Sequence, residues 1–357
     1  MFKKIIKGKT AVLNLLKFCL NNNNLTNLSS LPSDINNKID ILIKNTSNKK
    51  IEDYLDSFYD DVEFVEWNGL KVFFNSNDLV FKLFKENDLY FQSLKDDIKL
   101  LSIIINHYKE NNLSFNMFDI GAQYGLVGLS IASNLKKEKM DNKVFLFDPG
   151  VAQGSLAYNI AVNSLKTVAQ RENYAVSDET GSCDIYIKSG NSEDNHISKR
   201  ENDNFDVAYQ AKKVSIDDYI NKKNILPNLI LKIDTQGEEI KVIKGMEKVI
   251  LNGTCCFLTE FTPWLYNYGN GAKDFLLTMS KDFYLFDMVI EYKNNLEILK
   301  KWKGIELTES IFDDYIADVN RYEYAYTDIL AISKKIPNYS SLKNKIFLNK
   351  EKCNDNK

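Results

Sequence analysis

The stretch Phe115–Ala132 constrains this chain most. It runs apolar to Ile120, turns through Gly121 and Gly125, and then places apolar residues at helical spacing. That order fits a strand, a tight loop and a helix. Asp119 stands at the strand end, two residues before the first glycine. Glycine accepts positive φ and lacks a Cβ, so a ligand can approach the backbone there. The loop points to a nucleotide-like ligand, and the Asp119 carboxylate can accept hydrogen bonds from a cationic or hydroxyl-bearing group.

Strand and helix patterns alternate beyond the loop. Lys143–Asp148, Thr167–Val176, Asn228–Asp234, Thr254–Glu260, Phe283–Ile290 and Tyr326–Ser333 read as strands. Ala152–Asn163, Ile216–Ile220 with Ser215 as its cap, Glu239–Leu251 and Asp274–Ser280 read as helices. Cys183–Ile187 alternates like a hairpin arm, and the polar Ser189–Tyr209 reads as an exposed loop in which His196 is solvated. The expected fold is α/β: a doubly wound, mostly parallel sheet with an antiparallel edge strand, plus an N-terminal accessory region. The accessory region is residues 1–90, helical at Ile51–Asp60, with a hairpin of Val62–Trp67 and Leu70–Phe74 about Asn68-Gly69. Residues 91–335 form the main domain. It opens on a helix capped at Ser93–Asp96 that carries Leu94, Ile98, Leu101, Ile105 and Tyr108 on one face. Residues 336–357 are a polar tail, frayed after Pro337.

Charge narrows the partners. The chain has 357 residues and a formal net charge of −3, with no basic patch, which argues against nucleic acid. Five cysteines lack zinc spacing, and two histidines leave little material for a His-based metal site or a Ser-His-Asp triad, so no metal ligand is assigned. Cys255 and Cys256 lie in an apolar run as buried thiols, which fits a reducing, cytoplasmic setting. The apolar run Ala11–Leu20 is interrupted by Asn14 and Lys17 and reads as a short amphipathic helix; no transmembrane segment is expected.

In an open α/β sheet, ligands bind beyond the carboxyl ends of the strands. Successive strands here end at Asp119, Asp148-Pro149, Ser177-Asp178, Asp234 and Glu260. A nicotinamide dinucleotide wants a G-x-G-x-x-G loop, but Gln123 stands at the second glycine and the last glycine is missing. S-adenosylmethionine (SAM) explains more. It needs no phosphate cradle, its amino group and sulfonium are positive, and its ribose diol suits Asp148.

Five segments carry a family resemblance: Asp-Ile-Gly-Ala-Gln-Tyr-Gly (119–125), Phe-Leu-Phe-Asp-Pro (145–149), Ala-Val-Ser-Asp-Glu-Thr-Gly (175–181), Val-Ser-Ile-Asp-Asp-Tyr (214–219) and Leu-Lys-Ile-Asp-Thr-Gln-Gly-Glu-Glu (231–239). In order and spacing they resemble FkbM-type SAM-dependent methyltransferases over roughly residues 115–260. The family usually has Asn at Gln123, Glu at Asp148, and Val-Glu-Gly-Ala-Glu at Thr235–Glu239; Gln236 thus removes a charge. The resemblance implies a class I methyltransferase fold and SAM-dependent methyl transfer to a hydroxyl oxygen of a glycan, a sugar or a sugar-like small molecule. Asp119, Gly121, Ala122, Gln123, Tyr124, Gly125, Asp148, Pro149, Ser177 and Asp178 are the expected cofactor residues. A hydroxyl acceptor benefits from a base, and Asp234 is the first candidate, followed by Glu239 and Glu260. A divalent metal on Asp234 and Glu260 is conceivable, although nothing in the spacing demands it. Phe261, Trp264, Tyr266 and Tyr268 are an expected acceptor wall, with Tyr315, Tyr322, Tyr324 and Tyr326 on the same side. Two alternatives stay open: a nicotinamide-dependent oxidoreductase, and a non-catalytic SAM-binding partner subunit.

Overall fold

In the computed structural model, the described residues are 62–86, 88–150, 152–188, 190–197, 205–266, 271–288, 301–321 and 326–347. The expectations for the Ala11–Leu20 and Ile51–Asp60 helices, Tyr268, Tyr322 and Tyr324 lie outside them. In chain order, a hairpin comes first, β1 (Val62–Trp67) and β2 (Leu70–Asn75). Asn68 and Gly69 turn it with φ of 49° and 76°, the positive values a two-residue hairpin turn needs. Helices α1 (Leu79–Glu86) and α2 (Asp88–Glu110) lead to β3 (Asn116–Ile120). Next come α3 (Leu126–Lys137), β4 (Val144–Phe147), α4 (Gln153–Val162) and β5 (Ala169–Glu172). The four strands of a second sheet follow: β6 (Ala175–Val176), β7 (Gly181–Lys188), β8 (Asn191–His196) and β9 (Val207–Val214). The chain then forms α5 (Ile216–Lys223), β10 (Leu229–Ile233), α6 (Glu239–Lys244), α7 (Glu247–Asn252) and β11 (Cys255–Phe261). It continues through α8 (Gly271–Ser280), β12 (Phe283–Asp287), β13 (Glu306–Leu307), α9 (Phe312–Val319), β14 (Thr327–Ser333) and α10 (Tyr339–Phe347).

The central sheet has the order β13-β12-β14-β11-β10-β3-β4-β5. From β5 to β11 all neighbours are parallel. Winding runs outward from β3 to β5, then restarts on the other side of β3 at β10, so the switch point lies between β3 and β10. This is a Rossmann-like, doubly wound α/β sheet. The antiparallel member β14 lies between β11 and β12, and the two-residue β13 pairs antiparallel with β12 at the edge. Side chains alternate between two layers. Met117, Ile230, Cys256 and Leu330 face the side that holds α2 and α3, while Phe118, Leu231, Phe257 and Ala331 face the other. Burial on both faces is why β10 and β11 read as near-continuous apolar runs.

The hairpin is fastened to α4 by two asparagines one turn apart. Asn159 Oδ1 accepts from Phe73 N–H (2.8 Å), and Asn163 Oδ1 accepts from Lys71 N–H (2.9 Å). Their side-chain amides donate back to the Phe73 and Lys71 carbonyls. Four helical residues rise about 6 Å and two strand residues about 6.7 Å, so the asparagine pair imitates a neighbouring strand along β2. Trp67 Nε1 donates to the Leu126 carbonyl (3.1 Å) and seats the turn end of the hairpin on α3.

Several expectations are corrected. The expected third strand, Thr167–Val176, is two strands: β5 belongs to the central sheet and β6 to a separate sheet of order β6-β9-β7-β8. Ser189–Tyr209 is not simply an exposed loop, because β8 lies in it and Ser192 and His196 are buried. The Glu239–Leu251 helix breaks after Lys244. A Cβ on Gly245 would stand 2.1 Å from the Ser177 carbonyl oxygen, so the break lets two backbones meet. The Asp217 carboxylate accepts from Lys248 and Val249 N–H and restarts the helix as α7. Helix α2 begins at Asp88, ahead of the expected Ser93 cap. From Tyr339 to Phe347 the chain is not frayed, since α10 buries Leu342 and Ile346. As expected, Ser215 caps α5, its Oγ accepting from Asp218 N–H at 3.2 Å.

Candidate active site

The carboxyl ends of β3, β4, β10 and β11 surround a cavity of about 570 Å³, within the size range of small-molecule sites. Asp119, Gly121, Ala122, Gln123, Tyr124, Asp148, Pro149, Asp234 and Glu260 line it, as the strand-end argument expects. The loop after β3 takes three left-handed residues, Gly121 (φ 83°), Gln123 (φ 51°) and Gly125 (φ 85°). Gly121 is there for contact as well as for φ: a Cβ would lie 1.8 Å from the Asp234 carbonyl oxygen, so the loop rests directly on the end of β10.

Asp148 closes this loop. Its carboxylate accepts from Gln123 N–H (2.8 Å) and Gly150 N–H (2.6 Å). Burial raises its pKa to about 6 despite both bonds. Asp119 accepts from Gly128 N–H (2.9 Å), joining β3 to α3, and burial lifts it to about 6 against the pull of Lys232. The Gln123 side chain reaches across to Ser192 Oγ (2.8 Å) on β8. Ser192 N–H donates to Asp78, which also accepts from Tyr124 Oη at 2.7 Å. One buried aspartate before α1 thus ties the glycine loop to β8.

A charged row follows on β10, β11 and β14. Lys232 Nζ donates to Asp234 Oδ2 (2.8 Å). Burial opposes the lysine's charge, but Asp234, Asp119 and Asp97 outweigh it and hold its pKa above the ordinary value. The Gln236 amide donates to Asp234 Oδ1 (3.1 Å) and Glu260 Oε2 (3.3 Å). Where the family pattern has Glu, the amide thus bridges two carboxylates that a third would repel. Burial, then Asp234 and Glu239, push Glu260 well up.

Four expected site residues do not line the cavity: Gly125, Ser177, Asp178 and Glu239. Ser177 and Asp178 follow β6, outside the central sheet. Ser177 N–H bonds the Val214 carbonyl, its Oγ bonds Asp178, and its carbonyl packs on Gly245. Glu239, fully buried, accepts from Thr235 N–H, Thr235 Oγ1 and Gly237 N–H, so it holds the β10–α6 turn rather than facing a reacting atom. Of the aromatic wall, Trp264 and Tyr326 line the cavity, whereas Phe261, Tyr266 and Tyr315 are core residues. His196, expected in solvent, is 4% exposed, lines the cavity and stacks on Tyr186. Cavity residues missed in the sequence include Lys232, Asp97, Asp328, Tyr174 and Ser192. Lys232 alone carried a signal, a cation inside an otherwise apolar central strand.

The donor set fits SAM in kind: a buried carboxylate for a diol after β4, and several carboxylates toward a positive centre. Among the described residues, no group of carboxylate, histidine and cysteine side chains could hold a metal ion, and no helix is long and apolar enough to cross a membrane.

Residues 119–292 match the methyltransferase FkbM domain. No curated protein matches the chain in sequence. Among solved structures, it is similar to a superfamily member and inferred methyl transferase from Burkholderia thailandensis bound to S-adenosyl-homocysteine. The identity is 9% over 68% of this chain and 77% of that one, with a TM-score of 0.30. A native structure of an uncharacterized superfamily protein from the same organism is similar at 8% identity over 68% and 80%, with a TM-score of 0.31. Likeness this distant adds nothing to what the sheet order of this chain already gives.

Proposed function

Residues 119–292 belong to the FkbM methyltransferase family, and from that premise we propose that the chain is a SAM-dependent O-methyltransferase acting on a hydroxyl of a sugar, a glycan or a sugar-like small molecule. The observation that carries the reading is Asp148, a buried carboxylate one strand over from the glycine loop and turned onto it, where a ribose diol would be held. In this reading Asp119 and the 121–124 loop hold the methionine end. Residues 91–335 make up the catalytic domain, residues 1–90 are an accessory region whose described hairpin braces it, and 336–357 follow as a C-terminal segment. A cytoplasmic location belongs to the proposal and is supported by three free cysteines among the described residues.

SAM supplies an electrophilic methyl group on a sulfonium. The chain's own residues must hold the acceptor oxygen in line with it, and proximity supplies much of the rate. Asp234 is paired with Lys232 and Gln236, which suits it to orienting the acceptor hydroxyl. Glu260 receives only the longer Gln236 bond among the described residues and has a raised pKa, which suits it to take the hydroxyl proton. Ser177, Asp178 and Glu239 act in the proposal as supports of the loops behind the site.

Calorimetry with S-adenosylhomocysteine and with NAD tests the reading. Binding of the first alone is expected, abolished in Asp148→Ala; NAD binding would revive the oxidoreductase alternative, and unchanged affinity in the variant would remove Asp148 from the cofactor. Mass spectrometry of glycans and metabolites from a deletion strain should show a compound that has lost one methyl group. No such loss would favour a non-catalytic SAM-binding subunit.

A further inference from the structure

This inference rests on the methyltransferase reading, in which the acceptor enters the cavity beside the cofactor. The walls it would meet are charged in one sense. Ile233 pairs with Thr259, which sets Asp234 and Glu260 on the next rung, and Glu260 pairs with Asp328. Three carboxylates thus stand side by side across β10, β11 and β14, on the face that α2 covers. Asp97 on α2 faces the same space. Like charges directly opposite on neighbouring strands destabilise a sheet. One cation sits among them: Lys232 is the only Lys or Arg among the described residues lining the cavity, and it is already paired with Asp234.

A second observation is independent of the row. Asp97 is 6% exposed, lines the cavity, and accepts no hydrogen bond from any described residue. Buried polar side chains are ordinarily partnered. The Asp328 carboxylate likewise accepts none from a described residue. Burial and then mutual repulsion push Asp97 well up, and burial raises Asp328 to about 7 although Lys232 opposes the rise. Lys232 acts on both only from a distance, and among the described residues neither carboxylate is within ion-pair distance of a cation.

We propose that this end of the cavity recognises a positively charged acceptor, an amine-bearing polyol of the amino-sugar class, with its ammonium between Asp97 and Asp328 and its hydroxyl toward Glu260. The cofactor's own ammonium, held at the glycine loop in this reading, does not account for Asp328. The glycine loop follows β3, and Asp328 lies three strands away in the sheet order, about 14 Å at the usual strand spacing of about 4.8 Å. Trp264 and Tyr326, each 40% exposed, line the cavity as well, and aromatic faces suit both a sugar ring and a cation. Carboxylates around the acceptor also offset its repulsion by the sulfonium.

The test uses the full chain saturated with S-adenosylhomocysteine and three trisaccharides in calorimetry: a glucosamine trimer, its N-acetylated counterpart and a galacturonate trimer. The glucosamine trimer should bind at least about tenfold more tightly than the acetylated one, and the uronate not measurably. Asp97→Asn and Asp328→Asn should each shrink that preference about threefold or more; titrating each variant with S-adenosylhomocysteine reports whether it is folded. Equal or tighter binding of the acetylated or uronate trimer, or no binding of the amine by a protein that binds S-adenosylhomocysteine, overturns the proposal and leaves the methyltransferase reading standing. Saturable binding of Mg²⁺ that Asp328→Asn removes would also overturn it, in favour of a metal. If S-adenosylhomocysteine itself does not bind, it is the methyltransferase reading that fails.

Discussion

Two glutamines stand where the family pattern has other residues, and both adopt left-handed backbone, Gln123 at φ 51° and Gln236 at φ 57°. Each turns its amide into a strut. The longer arm of Gln123 spans to Ser192, and the uncharged amide of Gln236 lies between Asp234 and Glu260. The carboxylates near them carry the pH behaviour of the site. Asp119 and Asp148 have pKa raised to about 6 by burial, above the ordinary carboxylate value. The folded state therefore binds their protons more tightly than the unfolded state. Their contribution to stability is full below about pH 4 and is lost as pH rises through about 6. In the proposed reading cofactor binding has the opposite sign, because a ribose hydroxyl would donate to the ionised form of Asp148. Thermal unfolding with and without S-adenosylhomocysteine, from about pH 5 to about pH 8, should show both trends. The unliganded protein should lose stability relative to Asp119→Asn while the ligand-induced shift grows. A ligand shift that is flat with pH would mean that neither carboxylate faces the cofactor.

At the scale of elements, the hairpin and α4 form one unit through Asn159 and Asn163. Asn159 is fully buried and also donates to the Tyr124 carbonyl (3.1 Å) in the glycine loop. Asn159→Ala leaves the Phe73 N–H and the Tyr124 carbonyl without this partner and should cost about 1–3 kcal/mol. Hydrogen exchange should quicken at Phe73 and through the loop; unchanged exchange at both would mean that the asparagine only fills space. How much was legible in the sequence follows the same divide between local and distant contacts. The hairpin turn, the glycine loop and the apolar runs of β10 and β11 announce themselves, since each is written in consecutive residues. Asp148, Asp234 and Glu260 follow from them as strand ends. β8, Asn-Ser-Glu-Asp-Asn-His, has no alternation to read, because hydrogen bonds to Asp78 and Gln123 place it rather than an apolar face. Asp97 and Asp328 are silent for another reason. Only the register of β14 on β11 and the packing of α2 bring them together, and neither is a local property. The break at Gly245 likewise depends on a carbonyl from a distant segment.

For the molecule as a whole, α10 is the outer brace on α2. His107 Nε2 lies 2.8 Å from the Pro337 carbonyl, Lys345 pairs with Glu110, and Leu342 is fully buried in the core beneath. Leu342→Ala should therefore cost about 2–5 kcal/mol in chemical denaturation; a loss under about 1 kcal/mol would mean that this helix rests on the fold without belonging to its core. The position of β14 carries the longest reach. It is the last described strand in the chain, yet it is inserted between β11 and β12 and brings Asp328 to the carboxylate row. Synthesis runs from the N-terminus, so the glycine loop, Asp148 and Asp234 emerge well before Asp328 does. Closing a loop of that length is the slow part of building such a sheet. In the proposed reading, the residues that hold the cofactor are therefore made first, and the carboxylate that completes the acceptor end is made last.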